Sequence, residues 1–253
     1  MILDNKIYKY CSYKNGELIV SGQSLIFSNP STFNDPFDCN IDLLDFNFED
    51  SSQEVIDELE KVKRNLRKTW GTGINETIEN IPQVKWEEIY RNTQIKKIDK
   101  SSVCCFSRIH NSITMWSYYA DYHQGICLVF DPFLKDPFTD LRSEQYSEGA
   151  IDYNHNKRIN YLKSKEEGIK KLFLTKSSDW KHEEEFRYIV HKNDGLFKFK
   201  KSFFRGVIFG LRVEEEDIHQ FINICDNKGY DELFFGKFTK NKLQLHLKLL
   251  NRL

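Results

Sequence analysis

Trp180-Lys181-His182-Glu183-Glu184-Glu185-Phe186-Arg187-Tyr188-Ile189-Val190 is the stretch from which the rest of the chain is read outward. Successive side chains of an extended chain point to opposite faces. On that basis Phe186, Tyr188 and Val190 share a face suited to a core, and Glu183, Glu185 and Arg187 share the other. Two readings of the charged face stand side by side. One is a ladder in water, where charges ordinarily sit. The other is a site in which two carboxylates divide labour, one holding a substrate hydroxyl and one steering a nucleophile. Their mutual repulsion and the nearby guanidinium would then set their protonation.

Further strands are expected at Lys6 to Ser12, Leu25 to Ser28, Ser102 to Ser107, Gly125 to Asp131, Gly149 to Tyr153, Phe197 to Phe199, Gly206 to Gly210, Glu232 to Phe235 and Lys242 to Leu249. Between them, helical periodicity marks Lys14 to Val20, Ser51 to Lys68, Val84 to Ile98, Ser112 to Asp121, Asn160 to Leu174 and Val213 to Asp226. Ser51 followed by Glu54 has the spacing of a capping box. The pattern implies an α+β chain with a mostly antiparallel sheet and flanking helices, a single domain over residues 1–253 with a helical insertion at about 50–98.

Composition narrows the function classes. The chain has 253 residues, 37 Lys plus Arg against 38 Asp plus Glu, and 14% aromatic residues. That aromatic load, with only 5 Pro and 12 Gly, excludes a disordered chain. A net charge of −1 argues against polyanion binding by bulk electrostatics alone. No apolar run approaches the ~18 residues of a membrane span. The beginning of the chain shows no secretion signal. The six cysteines contain no C-x-x-C pair, so they read as small buried residues of a reducing compartment, and a cytoplasmic location is expected. No metal is expected, because no ligand spacing recurs.

Three further segments bear on chemistry. In Asn111 to Gly125, Met115, Trp116 and Tyr119 fall near one another on a helix, either as core anchors or as a platform for a planar ring. Phe33-Asn34-Asp35-Pro36-Phe37-Asp38 is a turn pinned by phenylalanines. Lys198-Phe199-Lys200-Lys201 and Phe203-Phe204-Arg205, together with His191-Lys192, Lys157, Arg158, Lys163, Lys165, Lys170 and Lys171, form either an ordinary lysine-rich surface or a phosphate-holding one. No P-loop, dinucleotide fingerprint or H-E-x-x-H string appears.

Taken in order, Ile7-Tyr8-Lys9-Tyr10-Cys11-Ser12, Phe33-Asn34-Asp35-Pro36-Phe37-Asp38, Cys105-Phe106-Ser107, Met115-Trp116-Ser117-Tyr118-Tyr119-Ala120-Asp121, Glu183-x-Glu185-x-Arg187 and Val207-Ile208-Phe209-Gly210 resemble the bacterial family called domain of unknown function 2971, over nearly the whole chain. Members occur near mobile-element and phage-defence genes, which implies a toxin-like or antiviral effector. A more distant resemblance is to ADP-ribosyltransferases, through a first strand with Tyr-Lys-Tyr-x-Ser, a second with Phe-Ser and a late strand with Glu-x-Glu.

That resemblance implies an NAD-dependent transferase acting on a macromolecular target, nucleic acid among the candidates. Glu185 would be catalytic, with Glu183 as partner and Arg187 orienting both. Lys9, Tyr10 and Ser12 would face the cofactor, and Trp116 and Tyr119 would wall the nicotinamide. Here the first strand carries Lys9 or Tyr10 where that superfamily has His or Arg. Two alternatives stand beside it: a metal-dependent nuclease gathering Asp35, Asp38, Glu183 and Glu185, and a non-catalytic sensing module.

Overall fold

The computed structural model describes residues 3–48, 50–71, 80–154, 159–163, 165–191, 195–242 and 244–250. In chain order the strands are β1 (Ile7–Cys11), β2 (Ser24–Phe27), β3 (Leu44–Asp45), β4 (Ser102–Ser107), β5 (Ile126–Phe130) and β6 (Tyr146–Ala150). They continue as β7 (Ile159–Asn160), β8 (Glu185–Val190), β9 (Gly195–Lys198), β10 (Phe204–Phe209), β11 (Phe234–Asn241) and β12 (Gln244–Leu250). The helices are α1 (Tyr13–Gly22), α2 (Gln53–Trp70), α3 (Gln83–Ile98), α4 (Ile113–Tyr119), α5 (Lys165–Phe173) and α6 (Glu215–Asn227).

The chain divides into two compact units. The first comprises Met1–Ser28, Ser102–Ile151 and Asp179–Leu253, and the second Asn29–Ser101 and Asp152–Ser178. The second unit thus takes in more sequence than the insertion expected at about 50–98, because the Phe33–Asp38 loop and α5 group with α2 and α3.

Unit 1 is built on an eight-stranded sheet in the order β12-β11-β10-β5-β1-β4-β8-β6. Its neighbours pair antiparallel except β10 with β11, so the expected mostly antiparallel α+β class is what the structure has. β5 is apolar along its whole length and every residue of it is buried, as a strand covered on both faces must be. One face of the sheet carries Leu128, Phe130, Tyr188, Val190, Val207 and Phe209, with Phe221 of α6 packed over them. Trp116 of α4 covers the other face with Tyr8, Tyr10, Val129, Ile208 and Phe238. Unit 2 packs Phe46, Phe48, Tyr90 and Tyr161 into an aromatic cluster with ring centres 5.6–6.3 Å apart.

Several boundaries move for local reasons. The strand expected at Gly149–Tyr153 is β6, shifted toward the N-terminus because Tyr146 pairs with Val190 and Ala150 with Phe186. The helix expected from Asn160 begins at Lys165, because Ile159 and Asn160 pair with Leu44 and Asp45. The expected Ser51–Glu54 capping box does not form. Ser52 is the N-cap and makes no side-chain cap bond, which leaves Glu54 one position short of the box register.

Candidate functional site

Glu183, Glu185 and Arg187 are all buried, at 4%, 5% and 0% exposure, so the charged face of Trp180–Val190 is not a ladder in water. The expectation that all three lie on one strand face is corrected. β8 starts at Glu185, and Glu183 closes a helical turn over Ser178–Glu183. Between them Glu184 has φ +42°, in the left-handed region. That kink delivers two buried carboxylates, one from a turn and one from a strand, while Glu184 itself is exposed.

Arg187 grips Glu185 with a bidentate pair, Nε to Oε1 at 2.8 Å and Nη2 to Oε2 at 2.9 Å. Such fork geometry fixes both side chains. The Tyr119 hydroxyl donates to Glu183 Oε1 at 2.6 Å. Ser107 was not among the site residues expected, yet its hydroxyl donates to the Glu183 carbonyl at 2.6 Å and pins the kink. Ser107 also stands opposite Glu185 across β4 and β8, and opposite Tyr8 across β4 and β1. Its signal in the sequence was the Cys105-Phe106-Ser107 string, where a polar residue ends an apolar strand. Burial, then the Glu185 charge, push the Cys105 thiol well above its usual range.

The residues expected at a dinucleotide hold other posts. Tyr8 and Tyr10 share the Glu185 face, whereas Lys9 projects from the opposite one. The Lys9 Nζ donates to the Cys105 carbonyl at 2.8 Å and lies 5.7 Å from the Phe106 ring centre. Tyr10 is 7% exposed, donates to the Ile109 carbonyl at 2.9 Å and meets Trp116 edge to face at 5.2 Å. Trp116 is completely buried, with its indole N–H on the His110 carbonyl at 2.7 Å. Ser12 caps α1, accepting from Asn15 N. Tyr119 is half-buried and bound to Glu183. Trp116 is thus closed off by its core neighbours, and the Lys9 ammonium is held at the Cys105 carbonyl.

The four carboxylates of the nuclease alternative fall in different units, Asp35 and Asp38 in the second, Glu183 and Glu185 in the first. Among the described residues no three His, Cys, Asp or Glu side chains form a group able to hold a metal. The aromatics of the basic stretch are core: Phe199 and Phe203 are fully buried and Phe204 is 2% exposed. Lys198 and Lys201 are exposed, while Phe199, Phe203 and Phe204 between and beside them are not. Lys157, Arg158 and Lys192 lie outside the described residues.

The segment that carries Trp116, Tyr119, Glu183, Glu185 and Arg187 is also where a family is found. Residues 115–188 match a family described as protein of unknown function (DUF2971). The resemblance read from the sequence motifs is therefore shown over that segment, which is shorter than the near-whole-chain extent expected. No curated protein and no solved structure matches the chain, and the resemblance to ADP-ribosyltransferases is not shown. All six cysteines are free thiols. Among the described residues no helix is long and apolar enough to cross a membrane.

Proposed function

We propose that unit 1 is an enzyme with a carboxylate-centred site, in which Glu183 is the reacting group and Glu185, Arg187, Tyr119 and Ser107 position it. The observation that carries this reading is the burial of three charged side chains within five residues of chain. Taking an ion out of water costs several kcal/mol even after relaxation, and an apolar trio of similar size would hold the fold at lower cost. Retaining such a cluster is the signature of a site that needs fixed charge.

Roles follow from the bonds. Both oxygens of Glu185 are committed to Arg187, which makes that pair a positioning device. Glu183 is aimed by the Tyr119 hydroxyl on one side and by the Ser107 bond to its own backbone on the other. A fixed carboxylate in a dry site is worth most where positive charge grows during reaction. The chemistry it supports is transfer at a substrate carbon that becomes cationic, of which ADP-ribosyl transfer to a macromolecule is the case indicated by the Glu-x-Glu resemblance.

The test is label transfer. The purified chain is incubated with NAD labelled in its adenylate half and a lysate containing protein and nucleic acid. Transfer by wild type, lost in Glu183→Gln with melting temperature retained, is the expected result. Equal labelling by Glu183→Gln removes Glu183 from the chemistry. No labelling by folded wild type removes NAD as donor.

A further inference from the structure

Unit 2 contains a cavity of about 450 Å³ at the Phe33–Asp38 loop, a size that accommodates a small ligand. Its walls are largely apolar, with Phe33, Ile41, Ile95 and Ile98 among them, and its polar lining includes Asp35 and Asp38. These two aspartates are 7% and 8% exposed. They differ in how their charge is met. Asp38 has Lys176 Nζ at 3.8 Å from Oδ2 and accepts the Cys39 thiol on Oδ1 at 3.4 Å. Asp35 accepts the Phe37 backbone N–H on Oδ1 at 2.9 Å, and among the described residues that is its only side-chain hydrogen bond. No lysine, arginine or histidine lines the cavity.

Asp35 is nine-tenths buried, has one carboxylate oxygen without a hydrogen bond among the described residues, and lines a cavity with largely apolar walls, a combination that suits a cation with an apolar body. We infer that this cavity binds an organic cation, a primary ammonium or guanidinium on a short aliphatic body, with the charge at Asp35 and the body against Phe33 and the isoleucines. Apolar walls suit the alkyl part, and the Phe33 ring adds an attractive face for a cation. A divalent metal is disfavoured, because among the described residues no three His, Cys, Asp or Glu side chains form a group able to hold one. An anion is repelled by both aspartates. The inference concerns unit 2 alone and stands or falls independently of the Glu183 reading.

Ligand-observed saturation-transfer NMR and calorimetry on the full chain, with agmatine and 1,5-diaminopentane as probes, test it. Saturable binding is expected, at least about tenfold weaker in Asp35→Asn, which keeps the acceptor for Phe37 N and removes the charge. Pentanol, uncharged but similar in body, should bind at least about tenfold more weakly than the amines. Ile98→Trp fills the chamber without touching a carboxylate and should also abolish binding, which keeps the test decisive if Asp35→Asn does not fold. N-acetyl-lysinamide tells a free amine from a lysine side chain: tighter binding than diaminopentane points to a polypeptide source, weaker binding to a free amine. No saturable binding of either amine by folded wild type, equal affinity in Asp35→Asn, or binding of Ca²⁺ or Mg²⁺ in place of the amines overturns the inference.

Discussion

Glu185 and Arg187 are two residues apart in the chain and locked together in the fold. Their value is asymmetric. Arg187→Met removes the bidentate partner of a buried carboxylate and should destabilise the chain by about 3–5 kcal/mol in urea titration. Replacing both, Glu185→Met with Arg187→Met, should recover most of that stability while abolishing activity. If the double variant is no more stable than the single one, the cost of Arg187→Met does not come from the charge of Glu185. Gly125 gives a second test. A Cβ there would sit 2.2 Å from the Cys11 carbonyl oxygen and 2.9 Å from the Ala120 carbonyl, both backbone atoms with little room to give. Gly125→Ala should therefore cost about 1–3 kcal/mol, measured the same way. The sequence showed a glycine after Gln124, and only the closeness of two other segments explains why it must be one.

Among the elements, the turn after α4 stands apart. Asp121, Tyr122 and His123 all have positive φ, at 46°, 53° and 70°, an unusual run without glycine. It follows the Met-Trp-Ser-x-Tyr-Ala-Asp string and returns the chain to β5, held by Arg212 N on the His123 carbonyl at 3.0 Å and Arg212 Nη1 on the Tyr122 carbonyl at 3.2 Å. Tyr122 is 66% exposed, so little packing is lost in Tyr122→Gly. That variant should be stabilised by up to about 1 kcal/mol in thermal or urea unfolding, since glycine adopts this region without penalty. A clear loss of stability would show that the tyrosine ring contributes packing that its exposure hides. Elements such as β5, α4 and α6 were legible because their apolar spacing is local. The start of β8 was not, because Glu183 to Glu185 alternate on paper and the Ser107 and Arg108 bonds that hold the kink at Glu184 come from a distant part of the chain.

For the whole molecule, two half-buried histidines link stability to pH. His110 is wedged between Tyr8 and Phe238, at 5.2 and 6.0 Å between ring centres. Burial holds its pKa below the usual value of 6.5. Burial, then the Arg212 charge, lower that of His123. The unfolded chain takes up protons first, so stability is fully present above about pH 6.5 and falls as pH drops toward the folded-state values. The urea midpoint should decline between about pH 7.5 and 5.5, and His110→Phe should shallow that slope. An unchanged slope in His110→Phe would place the acid sensitivity elsewhere.

What the sequence by itself determined is the class of the protein and the identity of its important strings. Alternation at Phe186, Tyr188 and Val190, the apolar run of β5 and the helical stripes are local patterns, and each dictates its element through burial of one face. The Glu-x-Glu-x-Arg string reads locally as one strand face, and the kink that breaks that face depends on neighbours that the sequence does not name. Tertiary structure decided that Lys9 turns to the opposite face, that Trp116 and Tyr10 are core, that Tyr119 binds Glu183, and that the Phe33–Asp38 loop lines a cavity of its own unit. The physical reason is the same in each case. Whether a polar or aromatic side chain serves a ligand or the fold is settled by which groups from distant parts of the chain satisfy its hydrogen bonds and exclude its water.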